Sequence, residues 1–325
     1  RSMKKRTIAI VAGGDSSELV VSLRSAQGIY SFIDKERYNL YIVEMEGKRW
    51  EVVLPDGSKT PIDRNDFSFM ESGEKKNFDF AYITIHGTPG ENGILQGYFD
   101  LIGMPYSSCN VLVSAITFNK FTCNQYLKGF GIRVSESMIL RKGFEILDEE
   151  VINKVGLPCF IKPNAGGSSF GVTKVKSVED FDKAVEYAFS EGNMLIAEAA
   201  IVGRELTCAV YYNGKENVAL PVIEILTENE FFDYEAKYNG HSKEVCPAQI
   251  PDALREEIQE TSKKIYSHLG CAGLVRVDYI CAEDGLYFLE VNTIPGMTAA
   301  SLVPQMVRAA GMDMTDFLTT VIENS

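Results

Sequence analysis

Residues 6–12 (RTIAIVA) form a short apolar run closed by Gly13-Gly14, the pattern of a buried strand. Residues 15–33 (DSSELVVSLRSAQGIYSFI) read as a helix, with Asp15 or Ser16 as the N-cap. YNLYIVEM (38–45) is a second strand, so the chain opens β-α-β, which predicts a parallel sheet with a site at the carboxyl end of a strand. FDFAYITIHG (78–87) is a further strand that runs into the glycine-rich loop GTPGENG, followed by a helix over 92–103. The segment 114–131 (SAITFNKFTCNQYLKGFG) reads as one helix.

From residue 158 the pattern shortens. PCFIKP and GVTKVK are two strands separated by NAGGSSF, then a helix covers 178–192 and a strand ends near Glu198. TCAVYY and NVALPVIEI are strands, and 252–270 is an amphipathic helix. Residues 227–247 lack periodicity and are expected to form a long ordered loop of the kind that serves as an active-site lid. No internal repeat is visible. Boundaries near 107 and 198 divide the chain into 1–107, 108–198 and 199–325.

Charge and composition narrow the function. The 325 residues carry a net charge of −13. That argues against nucleic acid as a partner, because a phosphate backbone needs a broad basic face. Phosphate, if bound, has to be held by a few lysines or arginines and by backbone N–H groups. Seven Cys without a C-x-x-C pair, and three His, offer little for a zinc site and are expected to be reduced thiols of a cytoplasmic protein. No apolar run is long enough for a membrane span and no signal peptide is expected.

Candidate chemistry concentrates in GLVRVDYICAEDGLYFLEVNTIPGMT (273–298). Two strands flank Glu283-Asp284-Gly285. A three-residue loop with Gly285 left-handed sets Asp278 opposite Glu290 and Arg276 opposite Asn292, all four side chains on one face. A two-residue Asp-Gly loop would shift that pairing. Two carboxylates and an amide oxygen suit a hard cation such as Mg²⁺. A solvated hairpin face is the plainer alternative, although opposed Asp and Glu side chains repel. In IKPNAGGSSFG (161–171) the strand lysine Lys162 precedes a Gly/Ser loop containing Ser168 and Ser169, which either presents N–H groups to phosphate or is a simple turn. It is not a Walker A loop, and H-R-D and D-F-G are missing, which removes a protein kinase. Glu18 beside Gly13-Gly14 either answers the helix dipole or receives a ligand ammonium. His86 ends a strand before a glycine loop, a mounting point for ligand groups and equally a place for a structural histidine.

HGTPGENGxLQG (86–97), IKPNAGGSSFG (161–171), FDYEAKY (232–238) and LEVNTIPGMTAASLVP (289–304) stand in the order and spacing of the D-alanine–D-alanine ligases of the ATP-grasp superfamily, which the chain resembles from Ile8 to its end. The resemblance implies a three-domain α/β ATP-grasp architecture, an N-terminal parallel α/β domain followed by two domains that clamp ATP. It implies that Lys120, Lys162 and Ser169 contact the nucleotide phosphates, Glu198 and the Ile201 backbone hold adenine, and Glu205 holds the ribose. Lys237 would reach the γ-phosphate or the second substrate. Asp278, Glu290 and Asn292 would bind two Mg²⁺ ions, with Mn²⁺ as an alternative. Glu18, with His86 beside it, would hold the first of two D-alanines. Arg276 and the Gly296 N–H would form an oxyanion site, and Ser301 with Leu302 would place the second D-alanine's carboxylate. Ser168 and Tyr238 would link with Glu18 across the closed site. Tyrosine at 238, where ester-forming relatives are expected to carry His, implies a dipeptide product for cell-wall precursor synthesis. A homodimer is expected. Ala199, Gly166, Val20 and Ala300 depart from the family's commonest residues, and none of them is a proposed metal ligand.

Overall fold

The computed structural model describes residues 4–166, 170–227 and 243–325. Ser168, Ser169, Lys237, Tyr238 and most of the expected lid lie outside them. The first sheet has the order β4-β3-β2-β1-β7, built from β1 (Arg6–Gly13), β2 (Tyr38–Glu46), β3 (Arg49–Val53), β4 (Lys59–Pro61) and β7 (Phe80–Ile83). A two-stranded ribbon, β5 (Phe69–Glu71) with β6 (Glu74–Lys76), stands beside it. β1 is parallel to both β2 and β7, as the β-α-β opening predicts. Both faces of β1 are covered: Ile8, Ile10 and Ala12 enter one core and Ala9 and Val11 another, which explains a strand that reads as a continuous apolar run.

Helix α1 (Leu19–Phe32) begins later than the sequence pattern suggests. Its N-cap is Glu18, without a side-chain cap bond; Ser16 instead accepts the Glu18 N–H at 3.2 Å and donates to the His86 carbonyl at 3.0 Å. The expected cap has been diverted to tie the start of α1 to the loop after β7. The predicted helix over 114–131 is two helices, α3 (Val111–Phe118) and α4 (Lys120–Lys128). Asn119 between them adopts an extended backbone and accepts the Thr122 N–H, because an Asn side chain competes with the helix ladder and favours a cap. α2 (Ile94–Ile102) follows the glycine loop.

The second sheet, β10-β9-β11-β8, contains β8 (Ser137–Arg141), β9 (Cys159–Pro163), β10 (Thr173–Val175) and β11 (Met194–Ala199). α5 (Asp148–Val155) and α6 (Phe181–Phe189) cover it, with Leu140, Val151, Ile161 and Phe181 in a core of its own. The third sheet has the path β15-β14-β12-β16-β17 with β13 beside β12. Its strands are β12 (Gly203–Tyr212), β13 (Asn217–Ala219), β14 (Ile223–Ile225), β15 (Glu244–Val245), β16 (Leu274–Ala282) and β17 (Gly285–Asn292). The single strand expected over 217–225 is split at Leu220-Pro221-Val222, where proline cannot donate to a ladder.

The helix over Asp252–Leu269, α7 here, packs on this sheet together with Val113, Cys123 and Leu127 of α3 and α4. The last helices, α8 (Leu302–Ala309) and α9 (Met314–Glu323), bury Val303, Met306, Phe317 and Val321 in the same core as Ile8 and Ile10 of β1. The chain end therefore returns to the first sheet, and the loop between β17 and α8 meets Ser25 and Gly28 of α1 and His86 after β7. All seven cysteines are free.

Candidate active site

The hairpin of β16 and β17 builds the centre. Arg276 pairs with Asn292 and Asp278 with Glu290, the predicted partners, but for a different reason. The turn is the two-residue Glu283-Asp284, closed by Ala282 opposite Gly285. The extra residue enters further along: Tyr279 pairs with Phe288, so Leu289 is bulged. A bulge places two successive residues toward one side, and Leu289 and Glu290 accordingly line the same cavity.

Two cavities meet at this strand. The first, about 220 Å³, is bounded by Glu18, His86, Lys120, Arg276, Glu290 and Asn292. The second, about 320 Å³, has Lys162, Glu198, Ile201 and Glu205 among apolar walls that include Phe160 and Val172. Lys120 and Glu290 line both.

Lys120 Nζ donates to Glu290 Oε2 at 3.2 Å and to the Gly166 carbonyl at 3.1 Å. Burial works against its ammonium, but Glu290 more than offsets that and holds its pKa above the ordinary lysine value. Glu290 titrates below its ordinary range: burial pushes its carboxyl up, and Lys120 foremost, with Lys162 and Arg276, pulls it further down. Lys162 forms an ion pair with Glu198. The placement of Lys120 comes from Asn164, which is 1% exposed. The Asn164 carbonyl accepts the Lys120 N–H at 3.0 Å, its side-chain oxygen accepts the Phe121 N–H at 2.8 Å, and its amide donates to Asn119 at 2.7 Å. Asn164, just after β9, thereby stitches that strand's end to the first turn of α4.

Asp278 is buried and does not line the first cavity, although Arg276, which binds it, does. Thr207 donates to its Oδ1 at 2.6 Å, and Arg276 binds it through Nε at 2.9 Å and a second guanidinium nitrogen at 3.1 Å. Burial opposes the Arg276 charge, yet Asp278 and Glu290 raise its pKa above the usual value. Arg276 and Lys120 therefore each offset one of the two opposed carboxylates, and the expected repulsion is met within the protein. Among the described residues no three His, Cys, Asp or Glu side chains converge as a metal-holding group. A hard cation here would combine the two carboxylates with the Asn292 amide oxygen, which also accepts the Ile294 N–H at 3.0 Å. That oxygen-only set fits Mg²⁺ or Mn²⁺, which leave remaining positions to water and phosphate.

His86 is 5% exposed and both ring nitrogens are engaged: Nδ1 faces the Ile294 carbonyl at 2.8 Å and Nε2 faces Ser25 Oγ at 3.0 Å. A carbonyl only accepts, so Nδ1 carries the proton and Nε2 accepts from the serine. Burial lowers the pKa of this imidazole, which keeps it neutral. Ser25 also accepts the Met297 N–H at 3.4 Å. One turn on, a side chain at Gly28 would meet the Met297 carbonyl at 2.2 Å, so glycine lets the loop seat against α1. This anchors 294–297, the loop of Gly296. Ser301 is the N-cap of α8; it accepts the Thr298 N–H at 3.0 Å and its Oγ lies 3.2 Å from where a Gly296 Cβ would stand. Leu302 opens the helix at Ser301's side.

One carboxylate of this site escaped the sequence analysis. Glu91, inside GTPGENG, lines the first cavity and accepts the Gly87 N–H at 2.8 Å. An acidic residue held within a tight glycine turn was the available signal.

The family described as D-ala D-ala ligase N-terminus matches residues 7–109, and that described as D-ala D-ala ligase C-terminus matches 126–323. The chain is 72% identical over 321 residues to a D-alanine--D-alanine ligase of Phocaeicola vulgatus, covering 98% of this chain and 99% of the relative. It is 63% identical to one from Bacteroides fragilis over the same length and shares. Among solved structures, the VanG D-Ala:D-Ser ligase from Enterococcus faecalis superposes with a TM-score of 0.86 at 32% identity, covering 98% of this chain and 99% of that one. D-alanyl-alanine synthetase A from Vibrio cholerae superposes with a TM-score of 0.88 at 29% identity, covering 99% of each. The chain belongs to the D-alanine–D-alanine ligase family, enzymes of the ATP-grasp fold.

Proposed function

We propose that this chain joins two D-alanine molecules into D-alanyl-D-alanine for peptidoglycan precursor synthesis, at the expense of ATP. The observation that carries the reading is the meeting of a charged cavity and an apolar-walled cavity at Lys120 and Glu290. ATP would place its base against Phe160, Val172 and Ile201, with Glu198 and the Ile201 backbone on adenine and Glu205 on ribose. Its phosphates would run past Lys162 and Lys120 toward the first cavity. Glu18 would receive the ammonium of the first D-alanine.

A carboxylate is a poor electrophile, so a carboxylate oxygen of the first D-alanine attacks the γ-phosphorus of ATP, the bond to the β–γ bridging oxygen breaks with ADP leaving, and the amino acid becomes an acyl phosphate. Lys120 and Lys162 offset charge on the phosphoryl oxygens. Asp278, Glu290 and Asn292 would hold Mg²⁺, or Mn²⁺ in its place, which when bound supplies further neutralisation of phosphate charge. Arg276 and the Gly296 N–H stabilise the oxyanion formed when the second amine attacks. Ser301, Leu302 and the start of α8 receive that molecule's carboxylate, as helix N-termini favour anions. Ser169, Lys237, Ser168 and Tyr238 enter this reading by sequence alone, and the acyl phosphate needs shelter from water, a role for 227–247. A neutral phenol at 238 admits an incoming ammonium where a cationic imidazole would repel it.

No helix among the described residues is long and apolar enough to cross a membrane. A cytoplasmic setting suits the ATP requirement, and exposed Ile94, Leu101 and Leu112 on neighbouring α2 and α3 support a homodimer. The test is ATP with D-alanine, and with D-serine or D-lactate as competing second substrates, read by mass spectrometry of the products. Mainly D-alanyl-D-alanine is expected; ATP turnover independent of D-alanine contradicts the reading, and mainly ester contradicts the part assigned to Tyr238.

A further inference from the structure

The second D-alanine arrives as an ammonium and has to lose a proton before its nitrogen can attack. The described side chains of the first cavity leave few acceptors. Lys120 and Arg276 are cations. Glu290 is engaged by Lys120, and Glu18 is reserved for the first ammonium in the proposed reading. His86 is unsuited, since its Nδ1 proton serves the Ile294 carbonyl and its Nε2 is taken by Ser25. Glu91 remains. Its Oε2 is fixed by the Gly87 N–H at 2.8 Å. Gly87 itself separates two carboxylates: it has φ +79°, and a Cβ there would stand 3.7 Å from Glu18 Oε2 and only 2.7 Å from Ser16 Oγ.

We propose that Glu91 is the general base that takes the proton from the ammonium of the second D-alanine. The inference rests on the ligase reading given above. In the step, the Glu91 carboxylate accepts one proton and becomes the acid. The freed amine forms the C–N bond to the acyl carbon. The C–O bond to phosphate breaks with its electron pair; of the two protons still on the nitrogen, one departs with the phosphate and the other stays on the new amide. Glu91 then returns its proton to solvent. Burial pushes the Glu91 carboxyl up to about 7, with Glu18 and Glu290 adding to the rise while the Gly87 N–H and Lys120 oppose it. A base of that strength is half charged near neutrality, the range in which general bases act best.

Hydroxylamine separates this role from a structural one, because it is unprotonated at neutral pH and captures an acyl phosphate without a base. Glu91→Gln keeps an oxygen for the Gly87 N–H, so the loop is retained. In the variant, dipeptide formation is expected to fall by ~10²-fold or more, while D-alanine-dependent hydroxamate formation stays within about twofold of the unaltered enzyme. The unaltered enzyme should also lose dipeptide turnover as pH falls through about 7, a limb the variant lacks. Equal loss of dipeptide and hydroxamate, or no loss of dipeptide, overturns the proposal while leaving the ligase reading in place. An unaltered enzyme that makes neither product overturns both.

Discussion

The two cavities share a wall and differ in almost everything else. The smaller one is lined by charges of both signs, with Glu18, Glu91 and Glu290 facing Lys120 and Arg276. The larger is walled by Phe160, Val172, Ile201, Ile280 and Leu289, with Lys162 and Glu198 paired at its side. Apolar walls bind a flat base with little call for charge, whereas a site that moves a phosphoryl group needs fixed charges already in place. The bulge at Leu289 joins the two environments, because it turns an apolar residue and its acidic neighbour into the same space. On the proposed mechanism, one irregular position in β17 would connect binding with chemistry.

Substitutions on the shared wall should therefore cost most. Glu290→Gln removes the charge and keeps the shape. Turnover is expected to drop on the order of 10³-fold, from the several kcal/mol of charge stabilisation at such a position, with an unaltered circular-dichroism spectrum. Turnover close to that of the unaltered enzyme would remove Glu290 from the chemistry.

Arg276→Lys keeps a cation beside Asp278 but loses the two-pronged contact. A fall in kcat of ~10²-fold is expected, of the size seen when one oxyanion donor is removed, with KM for ATP little changed. An increase in ATP KM instead would place Arg276 on the nucleotide side of the comparison.

Glu198→Gln should do the opposite, raising KM for ATP by roughly tenfold, about the 1.4 kcal/mol of one charged hydrogen bond, and leaving KM for D-alanine unchanged. Steady-state kinetics with each substrate varied in turn separates the two results. Asn164→Ala strips the stitch between the end of β9 and α4. Leaving buried backbone and amide groups unpaired is expected to cost about 1–3 kcal/mol in urea unfolding and to weaken ATP as Lys120 loses its support.

The smallest effect lies away from both cavities. Tyr279 is fully buried and its hydroxyl meets Ser262 at 2.7 Å. Tyr279→Phe is expected to lower stability by about 1 kcal/mol with kinetics unchanged, and a kinetic effect would show that the strand beneath the bulge is coupled to catalysis.

Much of this arrangement was legible in the sequence because it rests on local rules. Period-two alternation put Arg276, Asp278, Glu290 and Asn292 on one face, and the apolar run of β1 announced a strand buried on both sides. The pairing of Asp278 with Glu290 followed from an assumed three-residue loop, whereas the chain reaches the same register through a tighter turn and a later bulge. Two offsets of one residue give the same partners, and sequence alone does not say where the extra residue sits. Tertiary contacts hid the rest. Ser16 gives up its cap for the His86 carbonyl, Asn119 breaks a helix to meet Asn164, and His86 and Ser25 reach a loop more than two hundred residues away in the chain. Glu91 was overlooked for a related reason. Its importance comes from burial beside Glu18, a neighbour that lies across the fold.

In the proposed mechanism the first D-alanine's carboxylate becomes an acyl phosphate at the shared wall. Supplying D-alanine with ¹⁸O in its carboxylate follows that step, because the bond broken on amide formation lies between the acyl carbon and that oxygen. Phosphate released with dipeptide is expected to carry one labelled oxygen per turnover. Unlabelled phosphate would mean that ATP is hydrolysed by water and that no acyl phosphate forms.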